Sequence, residues 1–325
     1  MGHEHGGMHL PELPPTTGRV LALDLGAASP VAWLAVLLAV AYAVGLWRLH
    51  ARRVRWRPLR TVAWMAGCAS LFHVCASGLQ TYGMAMFSLH MVQHMVLTMI
   101  TPLLLLLGAP VTLALRALPT SRGPAGMPRR LLLSGLHSRL GRFVSHPLFT
   151  VPLFVASLYG VYFTPVFDDL MSTVPGHTFM LLHFLVTGLL FFGPILAVDP
   201  WPRRAGYGGR MLELLLPAPF HAFFGVAVMM SSSILLTSYA NPPASWGVDP
   251  LYDQGAAGGI AWSFGEFPTV LVLAVVFFQW SRSEDRASRA EERARDRAIA
   301  RGGTGEDPEL AAYNERLRRL AAQNP

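Results

Sequence analysis

Two histidines, His90 and His94, stand four residues apart near the start of MAMFSLHMVQHMVLTMITPLLLLLGAP, an apolar segment running from Met84 to Pro110 without a single carboxylate, lysine or arginine. On a helix, positions i and i+4 share one face about 6 Å apart, which suits joint ligation of one metal ion or hydrogen bonding to one partner. An ionisable residue inside a membrane span points to function by default. Met91 and Met95 follow the two histidines directly, and imidazole with thioether is a ligand set suited to copper, above all Cu(I).

The elements that must position these residues follow from composition. The 325 residues are 52% hydrophobic and only 14% charged, with a mean hydropathy of +0.39, too apolar for an ordinary soluble domain. Uncharged or nearly uncharged apolar stretches long enough to span a bilayer fall at 30–47, 59–78, 87–107, 148–166, 177–198, 211–239 and 260–280. The predicted fold is therefore all-α, an integral membrane bundle of seven transmembrane helices. All 26 basic residues are arginine, and they alternate between links. Six lie from Arg48 to Arg60, six from Arg116 to Arg142, three at 203, 204 and 210, and ten in the tail from Arg282. The other links carry none, and Arg19 alone precedes the first span. Under the positive-inside rule this places the amino terminus outside and the carboxyl terminus in the cytoplasm. The net charge of +7 is thus mostly a topology signal rather than a nucleic-acid footprint, which needs a basic patch with stacking aromatics or a known module.

Counting about 1.5 Å per residue from the predicted outer ends puts His73, His90, His94, His183 and Glu266 in one layer, roughly 6 to 12 Å below the outer surface. Groups at that depth are expected to face inward and pair, giving a polar pocket open to the outside. Its candidate metal ligands are His73, His90, His94 and His183 with Met91 and Met95. His177, Asp249, Asp253 and Gln254 are expected at its rim, Asp253, Gln254 and Glu266 are expected to shape the pocket or meet a client, and Gln93 stands between the two histidines as a further candidate contact to bound cargo. Taken singly, a membrane histidine also serves as a hydrogen-bonded packing residue and a methionine as core filler; the shared layer is what favours a common site. Cys68 and Cys75 are too far apart on one helix for a disulfide and read as small buried residues.

Three segments are expected: a disordered extracytoplasmic leader over 1–28, rich in His, Pro and Gly; a transmembrane domain over 29–281; and a charged, helical cytoplasmic tail over 282–325. His3, His5, Met8 and His9 of the leader are a possible copper-capture sequence. No basic n-region with a short apolar core precedes the first span, which is expected to act as an uncleaved insertion signal.

Several chemistries compete for the histidines. The pair has zinc-protease spacing, yet Met91 and Gln93 occupy the positions where zincins and inverzincins place the glutamate base, so hydrolysis is not expected and no enzyme is predicted. Haem ligation between facing helices is a rival, although two histidines on one helix face cannot take opposite axial positions. A transporter would place its polar groups at the midplane, not in the outer layer.

Beyond these readings, the segment His90-Met-Val-Gln-His94-Met leading through Pro102 to Leu107-Gly-Ala-Pro110, and Pro250-Leu-Tyr-Asp253-Gln254 followed by Gly258-Gly259 and Trp262, resemble the CtaG-type cytochrome c oxidase assembly factors of bacterial plasma membranes. His183, Pro194 and the step Asp199-Pro200 fit the same pattern, and the resemblance covers roughly 29–280. It implies a multi-pass plasma-membrane protein whose partners are cytochrome c oxidase subunits and a copper donor protein, with copper as the implied cofactor or cargo. A metal-independent scaffold for oxidase subunits stays open as an alternative, as does a haem-binding redox protein.

Overall fold

The computed structural model describes residues 4–5, 8–203, 205–300 and 308–322. After a two-residue ladder pairing β1 (Glu4–His5) with β2 (Met8–His9), the named elements among the described residues are helices, with an irregular stretch over 231–249. The helices are α1 (Thr17–Leu21), α2 (Pro30–Ala51), α3 (Pro58–Cys75), α4 (Gly78–Tyr82), α5 (Phe87–Met95), α6 (Thr101–Leu107), α7 (Pro110–Ala117) and α8 (Met127–His137). They continue as α9 (Arg139–Val144), α10 (Pro147–Tyr162), α11 (Val166–Met171), α12 (Val174–Leu196), α13 (Tyr207–Leu215), α14 (Ala218–Met230), α15 (Pro250–Ala300) and α16 (Pro308–Ala322).

Among the described residues, five helical stretches are long and apolar enough to cross a membrane: Pro30–Ala51, Phe87–Ala117, Val174–Leu196, Tyr207–Met230 and Pro250–Arg297. Seven were expected. The other two stretches are also helical but shorter or less apolar. α3 has 18 residues and includes Arg60 and His73, and α10 has 16 residues, about 24 Å against a hydrocarbon core of about 30 Å. The long spans expose apolar stripes at helical spacing, such as Trp33, Leu37, Val40, Val44 and Trp47 on α2, as a bilayer-facing surface requires.

The core forms where α3 packs on α2 and α6, and α12 on α6 and the turn before it. One close approach fixes the crossing. Pro102 has no N–H to offer the Thr98 carbonyl, and the backbone of α12 passes against that carbonyl at Gly188, where a Cβ would collide with it. Small residues permit this kind of approach between membrane helices.

Of the leader expected over 1–28, the described residues from 10 onward lie against the helices. Leu10 is buried, Tyr82 donates its hydroxyl to the Leu13 carbonyl at 3.0 Å and Trp246 donates Nε1 to Pro11 at 3.2 Å. Backbone bonds from Asp24 to Ala76 and from Ser29 to Cys75 complete the anchoring. His3 lies outside the described residues, and so do the side chains of His5, Met8 and His9. The chain divides into two compact units, Met1–Leu273 and Ala274–Pro325. Within the second, Trp280 donates to Glu284 and Arg319 pairs with Glu315, both at i to i+4 spacing.

Candidate functional site

The site is built on α5. Met86, at its N-cap, supplies no side-chain cap; instead Asp253 of α15 accepts the Ser88 backbone N–H at 3.2 Å and the Ser88 hydroxyl. A carboxylate at a helix N-terminus satisfies orphan amides and complements the dipole. One turn on come His90 and His94, and past them α5 widens into a π turn over Val96–Ile100, ahead of Pro102. Such π turns inside α-helices are frequent at functional sites.

His90 and His94 converge on one hydroxyl, as their spacing allowed. Tyr162, the last residue of α10, lies with Oη 3.1 Å from His90 Nε2 and 2.8 Å from His94 Nδ1. All three are buried. Phe87, Phe167 and Phe184 pack around Tyr162 with ring centroids 5.1 to 6.3 Å away, and Phe184 lies 3.8 Å from the His94 ring. One phenol carries one proton, so it donates to one histidine and accepts from the other. The network therefore has two forms. In the form where His90 donates Nε2–H to the phenol, its Nδ1 carries a lone pair. That Nδ1 is buried and has no hydrogen-bond partner.

A second chain has its direction fixed by the backbone. The Val74 carbonyl can only accept, so the amide nitrogen of Gln93 faces it at 3.0 Å and also donates to Gln80 Oε1 at 2.8 Å. Gln80 must then donate to His177 Nδ1 at 3.3 Å. By this assignment of the network His177 carries its proton on Nε2. His177 Nε2 and Gln93 Oε1 are buried without partners, and the rings of His177 and His90 are 6.3 Å apart. His177, expected at the rim, is buried beside His90.

The remaining predicted residues lie elsewhere. His183 is half-buried and its Nε2 pairs with Ser157 Oγ at 2.8 Å. His73 is half-buried on α3, with no hydrogen bond or ring contact to the cluster. Met91 and Met95 are fully buried on the face adjoining the histidines. Gln254 holds the 231–236 segment, accepting from Leu235 N at 2.8 Å and donating to the Ser233 carbonyl at 3.0 Å. Asp249 caps its own helix through Leu251 N and Tyr252 N. Glu266 is exposed on α15, and Trp262 is part-exposed although its Cβ lies close against Gly225 of α14; Gly258 and Gly265 approach α14 as well, at Met229 and His221. Among the described residues, no three His, Cys, Asp or Glu side chains are grouped to hold one ion. Sequence reasoning missed Tyr162 and Gln80: a tyrosine at a span end reads as an interfacial anchor, and neither residue carries a charge to mark it.

An all-helical, membrane-type bundle with a buried His–Tyr–His bridge beside a glutamine relay defines the class. The chain belongs to the cytochrome c oxidase caa3 assembly factor family (Caa3_CtaG), whose model matches residues 40–283. It is similar to uncharacterized proteins of Mycobacterium bovis and Mycobacterium tuberculosis, each 45% identical over 322 residues, covering 97% of this chain and 47% of the relative. A Mycobacterium leprae protein is 43% identical over 289 residues, 88% of this chain and 43% of the relative. The chain thus spans about half the length of the curated relatives it matches. No solved structure matches it.

Proposed function

We propose that this protein aids cytochrome c oxidase assembly by holding a copper ion transiently in the outer half of a bacterial plasma membrane. In this reading the bundle crosses seven times, through α2, α3, α5 to α7, α10, α12, α13 with α14, and α15, with the amino terminus outside. The arginine pattern of the links supports that orientation.

The observation that carries the copper reading is the buried, unpartnered Nδ1 of His90, whose lone pair is exposed in one of the two forms of the Tyr162 bridge. Cu(I) is soft and accepts imidazole and thioether, so binding at His90 selects that form, and His94 steadies it through the phenol. Met91 and Met95 are the nearest soft donors in sequence. His73 and His183 are secondary ligands that a rearrangement would recruit, His183 by leaving Ser157. His177, an N–H donor, positions cargo rather than ligating it. A copper donor protein loads the site, and the oxidase subunit receives the ion. Glu266 is placed to meet a client helix, since an ionisable group on the outward face of a span calls for a partner.

The test is metal analysis of the detergent-solubilised full chain after anaerobic exposure to Cu(I), beside a His90→Ala/His94→Ala variant and His73→Ala. Near-stoichiometric copper, lost in the double variant and mostly kept in His73→Ala, is expected. Equal, negligible copper in all three would sink the copper role and leave a scaffold that recognises oxidase subunits through protein contacts alone.

A further inference from the structure

At the end of α2 opposite to the histidine site, the chain turns into α3 around a cavity of about 780 Å³ whose lining joins apolar residues of α2, Leu46 and Leu49 among them, to His50, Arg53, Arg55 and Thr61. We propose that this cavity binds the phosphate of an anionic ligand, the head group of an anionic phospholipid or a free phosphate compound.

The positive-inside rule explains why arginines gather in such a link, but not what these arginines do. The Arg116–Arg142 link carries the same number of arginines and uses two of them on backbone carbonyls. Arg129 donates to the Leu115 carbonyl at 3.3 Å, and Arg130 to Ser121, Arg122 and Gly123 at 2.8 to 3.3 Å. Arg53 and Arg55 make no such bond and have no acidic partner among the described residues. Between Arg48 and Arg60 there is no aspartate or glutamate at all.

The backbone holds Arg53 in place at a cost. α2 ends in a Schellman turn, with Val54 N bonded to Leu49 O at 3.0 Å and Arg53 N to His50 O at 2.9 Å. Its left-handed position, where glycine is the usual residue, is Arg53 at φ 56°. An arginine there is strained, and the strain aims a guanidinium from a fixed point into the link. The opposite wall is rigid too. Trp56 donates Nε1 to Tyr42 at 3.1 Å and carries Arg60 and Arg116 guanidinia 5.0 and 5.8 Å from its ring. The first turn of α3, which contributes Thr61, has no side-chain cap, so its amide dipoles also favour an anion. Guanidinium forks match phosphate oxygens bidentately, and basic pockets at the cytoplasmic ends of spans bind phospholipid head groups.

The experiment is lipid titration of the full-length protein in detergent, read by native mass spectrometry, with dioleoyl-phosphatidylglycerol, dioleoyl-phosphatidylcholine and, in a separate arm, millimolar inorganic phosphate as competitor. The wild type is expected to prefer phosphatidylglycerol about tenfold. Arg53→Gly with Arg55→Gln removes the preference, while Arg129→Gln with Arg130→Gln keeps it. Because glycine relieves the left-handed turn, Arg53→Gly alone melts at or above the wild-type temperature, which separates lost binding from lost folding. Displacement by inorganic phosphate assigns the site to free phosphate compounds, and persistence against it assigns the site to lipid. Phosphatidylglycerol preference unchanged in Arg53→Gly/Arg55→Gln, or lost equally in the Arg129/Arg130 variant, overturns the proposal.

Discussion

The polar groups at the start of α15 and those on the seam of α5, α10 and α12 read alike by sequence and depth, yet they behave differently in the fold. Asp253 and Gln254 are matched to donors and acceptors of distant backbone: the start of α5 for one, the 231–236 segment for the other. Asp199 does the same at the start of α7, accepting from Val111 N and Thr112 N at 3.0 and 2.8 Å and from the Thr112 hydroxyl at 2.6 Å. Asp168 clamps Thr237 and Ser238 through both backbone and hydroxyl. On the histidine seam, by contrast, His90 Nδ1, Gln93 Oε1 and His177 Nε2 are buried with no partner. Buried polar atoms without partners are costly and rare in native proteins. Thr98 Oγ1, Trp201 Nε1, one Arg203 nitrogen and His221 Nδ1 are also buried without partners, so what sets the seam apart from the clamps is that three such atoms fall on linked or neighbouring side chains, with the His90 and His177 rings 6.3 Å apart.

The largest effect expected from that contrast is on the clamps. Asp253→Ala and Asp199→Ala each strip a carboxylate from buried or part-buried helix-start amides, at a cost on the order of 3 kcal/mol. Thermal unfolding in detergent is expected to show a clear drop for both, with Asp253→Asn intermediate. A wild-type melting curve for Asp253→Ala would erase the distinction between the two regions. Next comes Tyr162→Phe, which preserves the aromatic packing but takes one hydrogen bond from each of two buried histidines. A loss of about 1 to 3 kcal/mol is expected, together with a changed Cu(I) affinity, since the phenol no longer couples His94 to His90. Unchanged copper binding in a folded Tyr162→Phe protein would show that the bridge is packing alone.

How far the sequence reached depends on the physics behind each signal. The all-helical class, the apolar spans and the meeting of His90 with His94 follow from period and composition, which the chain states locally. Asp253 and Gln254 were placed at the outer end of α15, but their task was not legible, because a clamp is defined by the remote amides it accepts. Depth alone puts Glu266 in the pocket, and Trp262 enters only through the family-like motif. Depth fixes height along a helix and says nothing about azimuth, and Gly258 and Gly265 take the face against α14, which leaves Glu266 exposed. The contacts of Leu13 and Pro11 were hidden for a similar reason, since their partners, Tyr82 and Trp246, lie far along the chain.

A smaller effect distinguishes Asp168 from the deeper clamps. Burial pushes its carboxyl up, but the hydrogen bonds from Ser238 and Thr237 outweigh that and hold it below the ordinary value of 3.8. A depressed carboxylate contributes stability that is present above its unfolded pKa and is lost as pH falls through the folded one. Wild-type melting temperature is therefore expected to fall more steeply below about pH 4 than that of Asp168→Asn, with the two curves differing by a constant offset at neutral pH. Parallel curves throughout would show that the clamp is not charge-dependent.

The smallest expected effect on stability is at Glu266, and its size is the point. The side chain is exposed and makes no hydrogen bond or ion pair among the described residues, so Glu266→Gln removes no contact of the isolated protein. Its melting curve is expected to overlay the wild type within about 0.5 kcal/mol. If Glu266 meets a client helix, the same variant lowers the yield of assembled oxidase in cells while leaving copper content of the purified chain unchanged. Reduced oxidase with reduced copper would move Glu266 back toward the metal site, against its outward placement. Unaltered oxidase would leave it as a tolerated surface charge and confine function to the histidine seam.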